Sequence, residues 1–114
     1  MKNKIKNYIF IFFCFFLVSK FVSANEPFVF NVTEIEILDD GNQINGYKGG
    51  TATSNDGSTI SAKNFYYNKL TNTLETIGNV KYFDQKKNII ITADKAIYLK
   101  NDEIVFTEGN SKAV

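Results

Sequence analysis

Few side chains in this sequence have the type and spacing for chemistry. Asp84, Asp94 and Glu108 are carboxylates that acid–base hydrolysis could pair. The acidic stretches Asp39-Asp40-Gly41-Asn42 and Asn55-Asp56-Gly57 are places to look for calcium, and Lys86-Lys87 is a place to look for a phosphate. Each has a plainer reading. All 13 basic residues are Lys and there is no His, so no imidazole or guanidinium stands ready to tune a carboxylate pair. Neither acidic stretch has calcium-loop spacing, and Asp-Gly is what a tight hairpin turn asks for. Lys86-Lys87 reads as a solvated turn. The one Cys, Cys14, lies in an apolar leader, so zinc, haem, thiol catalysis and disulfides fall away. No enzyme activity, cofactor or metal is expected.

Charge narrows the partners further. Residues 1–24 carry 4 of the Lys and no acid, which leaves 9 Lys against 12 acids, net −3, in residues 25–114. Phosphate-backbone binding needs a concentrated positive field, so no nucleic acid is expected. What remains as working surface is apolar and aromatic, and the elements that carry it decide its use.

Residues 1–24 read as a cleaved Sec signal peptide. Lys2, Lys4 and Lys6 precede an unbroken apolar run, Tyr8 to Val18, and Val22-Ser23-Ala24 supplies small residues for cleavage before Asn25. The run is too short to cross a bilayer core of about 30 Å. Cys14 sits inside the run rather than after it, which does not fit a lipoprotein.

The remaining residues 25–114 form one all-β domain. β-branched and aromatic residues dominate, with turn chemistry at Asp39 to Asn42, Ser54 to Gly57, Asn68 to Asn72, Asp84 to Asn88 and Lys100 to Asp102. Six long strands are predicted, over 28–38, 43–53, 58–67, 73–83, 88–99 and 103–107. Within the first, Phe28, Phe30 and Val32 have opposite parity to Ile35 and Ile37, which predicts a bulge that changes faces.

A repeat organises these strands. Residues 61–81 align without a gap on residues 92–112, with identities at Ala62/Ala93, Tyr67/Tyr98, Lys69/Lys100, Thr76/Thr107, Gly78/Gly109, Asn79/Asn110 and Lys81/Lys112. An earlier, degraded copy is expected from Ile44-Asn45-Gly46 to Ile60-Ser61-Ala62. Each unit is strand, polar turn, strand, then a Gly-Asn pair expected to bend the strand through left-handed or bulge geometry. A single hairpin cannot bury its own apolar face, so units must stack into a twisted sheet with edge strands at its ends.

The pattern Ala-(Asp/Lys)-x-x-x-Tyr, polar turn, Gly-Asn, clearest in Ile91 to Leu99, resembles the OstA-like family of lipopolysaccharide-transport proteins. That family includes LptA, LptC and the N-terminal periplasmic domain of LptD. The resemblance covers nearly all of residues 28–112, and the opening Phe-Asn-Val-Thr-Glu-Ile-Glu-Ile is most similar to the LptD domain. It implies an open, twisted β-jellyroll in the periplasm of a Gram-negative bacterium. Such a module shelters lipid A acyl chains of lipopolysaccharide in an apolar groove. It docks edge to edge with other Lpt jellyrolls for outer-membrane assembly, and is peripheral to or tethered at the outer membrane if it is part of a translocon. The chain stops at Val114 without a barrel, so a C-terminal truncation is one reading.

The implied groove lining is Phe28, Phe30, Ile35, Ile37, Ile44, Ile60, Ala62, Phe65, Tyr67, Leu74, Ile91, Ala93, Tyr98 and Val105. Tyr67 and Tyr98 stand out because the repeat preserves them and each pairs an apolar body with a polar tip. Two alternatives compete. One is a structural β-module that assembles with protein and binds no lipid. The other is a lipocalin-like carrier, which requires a closed eight-stranded barrel that six strands cannot make.

Overall fold

A run of β-formers between Asx and Gly turns yields one antiparallel sheet. The computed structural model describes residues 26–114, so the expected signal peptide and cleavage site lie outside the described residues. Eight strands follow in order: β1 (Phe28–Leu38), β2 (Gln43–Ser54), β3 (Thr59–Ala62), β4 (Asn64–Asn68), β5 (Thr73–Asp84), β6 (Ile89–Leu99), β7 (Ile104–Glu108) and β8 (Lys112–Ala113). The sheet order is β1-β2-β3-β5-β6-β7, with β4 also between β2 and β5, and β8 also on β6.

Two features differ from the six predicted strands. The segment 58–67 is broken at Lys63 into β3 and β4, and residues 112–113 add a short strand. The break has a cause. Lys63 sits where the strand bends, its N–H donating to the Gly78 carbonyl (3.0 Å) while its carbonyl accepts from the Gly49 N–H (2.8 Å). The backbone is paired there, but out of the regular ladder.

The same bend recurs across the sheet. Register shifts fall between Val32 and Glu34 on β1 and between Ile77 and Val80 on β5. Gly78 and Asn79 have φ of 92° and 47°, and Gly109 and Asn110 have 78° and 50°. The repeated Gly-Asn pair is thus left-handed in both copies, as expected. Asp94 donates its N–H to the Gly109 carbonyl (2.8 Å) as Lys63 does to that of Gly78, so the third unit bends in the same way.

The bends fall at matching places in three strands. Buried or partly buried positions before the bend are Val32, Ala62 and Ala93, and three residues later Ala96 and Phe65 are buried in the same sense. Ile35 takes that place in β1. β1 thus bends at a place matching those of the later units, although Ile35 itself is exposed.

The line of bends folds the sheet over on itself. Phe28 pairs with Ser54 and Tyr67 with Ile44, both on β2. Ser54 and Ile44 would lie about 30 Å apart in a flat strand rising 3.3 Å per residue. Yet the Phe28 ring is 5.3 Å from the Tyr67 ring and 5.6 Å from that of Tyr98. The sheet thus has two facing arms. One holds the strand segments before the bends of β1 and β6 with β3; the other holds the segments after them with β4 and β7.

Between the arms lies the core, an aromatic cluster with Phe65, Leu74, Ile60 and Tyr98 almost wholly enclosed. Thr76 is also buried and directs its Oγ1 hydroxyl to the Ala96 carbonyl at 3.0 Å, so its polar atom is satisfied.

Candidate apolar site

One row of side chains crosses the second arm on its inner face. The pairings Ile37↔Ile44, Ile44↔Tyr67, Tyr67↔Leu74, Leu74↔Tyr98 and Tyr98↔Val105 place all six residues side by side. A neighbouring row runs from Ile35 over Gly46 to Phe65, Thr76 and Ala96. These rows are the apolar face that the alternation of β1 and the repeat pointed to.

Of the expected lining residues, Phe28, Ile60, Ala62, Phe65, Tyr67, Leu74, Ala93 and Tyr98 are buried. Phe30, Ile44, Ile91 and Val105 are half-buried and pack against the core. Ile35 and Ile37 are different. They share the inner face but are 52% and 63% exposed, because the opposing arm does not reach over the β1 edge. The inner face is thus filled at its centre and uncovered along one margin.

The centre is filled by rings. Phe30 lies 5.8 Å from Tyr67 and 6.3 Å from Phe65, and Tyr82 lies 6.0 Å from Tyr98, mostly edge to face. Tyr67 and Tyr98 turn their hydroxyls outward in parallel ways. Tyr67 donates to Asn72 Oδ1 at 2.6 Å, and Tyr98 donates to Glu103 Oε2 at 2.6 Å, each five residues ahead. Burial raises both phenol pKa values, and for Tyr98 the hydrogen bond to Glu103 and the Asp56 charge add to the rise. Both stay protonated donors near neutrality.

A second cluster went unread in the sequence. Lys100 is only 8% exposed, and its Nζ lies 2.7 Å from Glu103 Oε1 and 3.4 Å from Asp56 Oδ2. Burial alone would favour a neutral lysine, but the Glu103 hydrogen bond and the two carboxylate charges outweigh it and raise the pKa. Burial likewise opposes ionisation of Asp56. Hydrogen bonds from Ser58 and Tyr98 and the Lys100 charge overcome this and hold the carboxyl well below the usual carboxylate range. The Lys69/Lys100 identity was the only available signal, and it misleads, since Lys69 is exposed. Val80, Tyr82 and Ala96 also join the core unexpected; Val80 and Tyr82 share parity with Leu74 on β5.

Of the residues first considered for chemistry, Asp56 and Asp84 serve turns, and Glu108 ends β7 with its carboxylate 3.9 Å from Lys95 Nζ. Asp84 Oδ1 accepts the Lys86 and Lys87 N–H groups at 3.0 and 3.1 Å, and Asp56 Oδ1 accepts that of Ser58 at 2.9 Å. Asp94 is exposed and accepts from Asn110 Nδ2 at 3.0 Å. Among the described residues no cluster of three metal-ligating side chains is present, and no helix is long and apolar enough to cross a membrane.

Among the described residues β1 pairs only with β2, and β7 only with β6. Strand count alone would now permit a small barrel, but these two unjoined edges leave the sheet open, and the described residues form no closed lipocalin-type barrel. No protein-family model matches the chain, and no curated protein matches it.

Proposed function

We propose that this chain is a periplasmic module of the OstA-like jellyroll type that shelters the acyl chains of lipopolysaccharide against its inner face and joins other jellyrolls through its strand edges. The observation that carries the reading is the uncovered margin of that face. Ile35 and Ile37 continue the buried aromatic rows to an open edge, where an acyl chain can lie against apolar surface at roughly 25 cal/mol per Å2 buried. Among the described residues the outer edge of β1 has no strand partner, so it can accept a strand from a neighbour. The repeated units, the leader composition and the absence of His and Arg suit a task that needs apolar area rather than reactive groups.

The test uses strand parity. A photo-crosslinking amino acid at Ile35 or Ile37, with lipopolysaccharide added, gives a lipid adduct, whereas the same group at Glu34 or Glu36 on the opposite face gives little. Equal labelling on both faces, or none at Ile37, overturns the reading. A second reading has its own support: the interior centre is already filled by the chain's own rings. In that case the domain is an assembly module whose edges bind protein and whose interior never admits lipid, and the Ile37 adduct is missing while edge pairing persists.

A further inference from the structure

We propose that Asp56, Tyr98, Lys100 and Glu103 form a clasp that holds the free ends of the two arms together and controls entry to the apolar interior. The inference rests on the lipid-sheltering reading only for the identity of the entrant; the clasp itself stands on geometry.

Three of its members come from one place. Tyr98 closes β6, and Lys100 and Glu103 follow in the turn to β7, at the tip of the second arm. Asp56 belongs to the turn between β2 and β3, at the tip of the first arm, more than 40 residues away in sequence. Its Oδ2 accepts from the Tyr98 hydroxyl at 3.1 Å and from Lys100 Nζ at 3.4 Å. Glu103 binds the same two groups from the other side, at 2.6 and 2.7 Å. Asp56 is thus the only cross-arm member; it faces the Lys100 ammonium and the Tyr98 hydroxyl, whose single proton it shares with Glu103.

The position matters because of what lies beneath. The Tyr98 ring that carries the clasped hydroxyl packs against Phe28 from the opposite arm. Ring contacts are only weakly directional beside charged hydrogen bonds, and a hydrocarbon chain can replace most of their buried area. The charged hydrogen bonds above them cannot be replaced by a hydrocarbon, so they set the closed position while the rings fill the space. The remaining charged groups around this tip, Asp84, Lys86 and Lys87, line a cavity of about 220 Å3 with the clasp but make no side-chain hydrogen bond or ion pair to its members. Asp56 is held ionised by its hydrogen bonds and the Lys100 charge, while Lys100 stays charged and Tyr98 stays protonated near neutrality. The clasp yields to salt, which screens its partly exposed Asp56–Lys100 limb.

Spin labels at Asn55→Cys and Asp102→Cys, one on each tip, read the arm separation directly, in full-length chain carrying Cys14→Ser. Asp56→Asn is the informative variant, since an Asn Oδ1 can keep the Ser58 turn while the charge is lost. We expect a narrow, short distance distribution in the parent chain. In Asp56→Asn the open fraction rises about tenfold, the change expected for loss of one charge-assisted hydrogen bond. N-phenylnaphthylamine, a small apolar dye, should gain fluorescence in parallel, with no lipid present. Lys100→Met gives the same result by removing the cation that Asp56 binds, and Glu36→Gln, outside the clasp, changes nothing. If Asp56→Asn and Lys100→Met keep the parent distances and dye signal, the clasp is overturned, and crosslinking at Ile37 stands or falls independently. If the arms open but Ile37 yields no lipid adduct, the clasp is upheld and the entrant is not lipopolysaccharide.

Discussion

Replacing Phe28 by Ala tests the folding-over of the sheet more directly than any other change. Phe28 lies on a strand that among the described residues pairs only with β2, and in a flat sheet such a residue has one face in water. In the folded sheet it is 4% exposed, with rings of Tyr67, Tyr98 and Phe30 at 5.3, 5.6 and 6.1 Å. A buried Phe→Ala change costs about 3–5 kcal/mol through lost transfer energy and the residual cavity. An edge strand can relax into part of that space, so we expect about 3 kcal/mol. The next residue, Val29, is 65% exposed on the opposite face, and Val29→Ala should stay within about 0.5 kcal/mol. Urea unfolding followed by far-ultraviolet circular dichroism reads both. With a slope of about 1.5 kcal/mol per M, the Phe28→Ala midpoint falls by about 2 M and that of Val29→Ala barely moves. Costs below about 1 kcal/mol for Phe28→Ala, or equal costs for the two, would refute the contact between the arms.

Two further changes follow from particular contacts. At Gly50, with φ of 153°, a Cβ would meet the Asn31 carbonyl oxygen and lie 2.6 Å from Val32 Cα, backbone that cannot rotate away. Gly50→Ala should therefore displace the β1 edge and cost at least about 2 kcal/mol in the same urea assay, while a cost under about 0.5 kcal/mol would show that β1 does not approach so closely. For Asp56 the sign follows from its depressed folded pKa. Its contribution is fully present above the unfolded carboxyl value of about 4 and fades as pH falls toward the folded value. The stability gap between parent and Asp56→Asn should hold steady from pH 7 to about 5 and narrow by about pH 3, and a gap that stays constant there would contradict the assignment.

Much of this architecture was legible in residue order. Strand β1 matches its predicted span because the turn at Asp39-Asp40-Gly41 closes it without ambiguity. The parity change between Val32 and Ile35 announced a bulge, and the repeated Gly-Asn pair announced the bend. Folding-over was harder to foresee. A bend looks the same in sequence whether it curls a sheet gently or closes it, since contact between Phe28 and Tyr98 is a property of the summed twist. The same limit hid the clasp. Asp56 was read as an ordinary hairpin Asp, which locally it is, and its second carboxylate oxygen meets Lys100 only after the arms close. Ile35 and Ile37 show the converse case: alternation assigned them to the inner face, but only the position of the opposing arm leaves them uncovered.

The filled centre and the open margin together constrain what an entering ligand must be. An acyl chain that stops at Ile35 and Ile37 gains little area, while one that enters must displace the Phe28 and Phe30 rings and release Asp56. Exposing two Phe side chains costs about 5 kcal/mol, and losing the clasp adds about 1–2 kcal/mol. Burying methylenes returns about 0.8 kcal/mol each, so roughly eight are needed to balance the opening. A six-carbon chain should leave the arms closed, whereas a chain of twelve or more carbons gains about 10 kcal/mol gross and should open them. Spin-label distances measured with hexyl and tetradecyl detergents below their micelle concentrations make the comparison. A distance shift that grows smoothly from short chains upward would mean that the rings are not in the way, and no shift with either chain would mean that the margin alone binds.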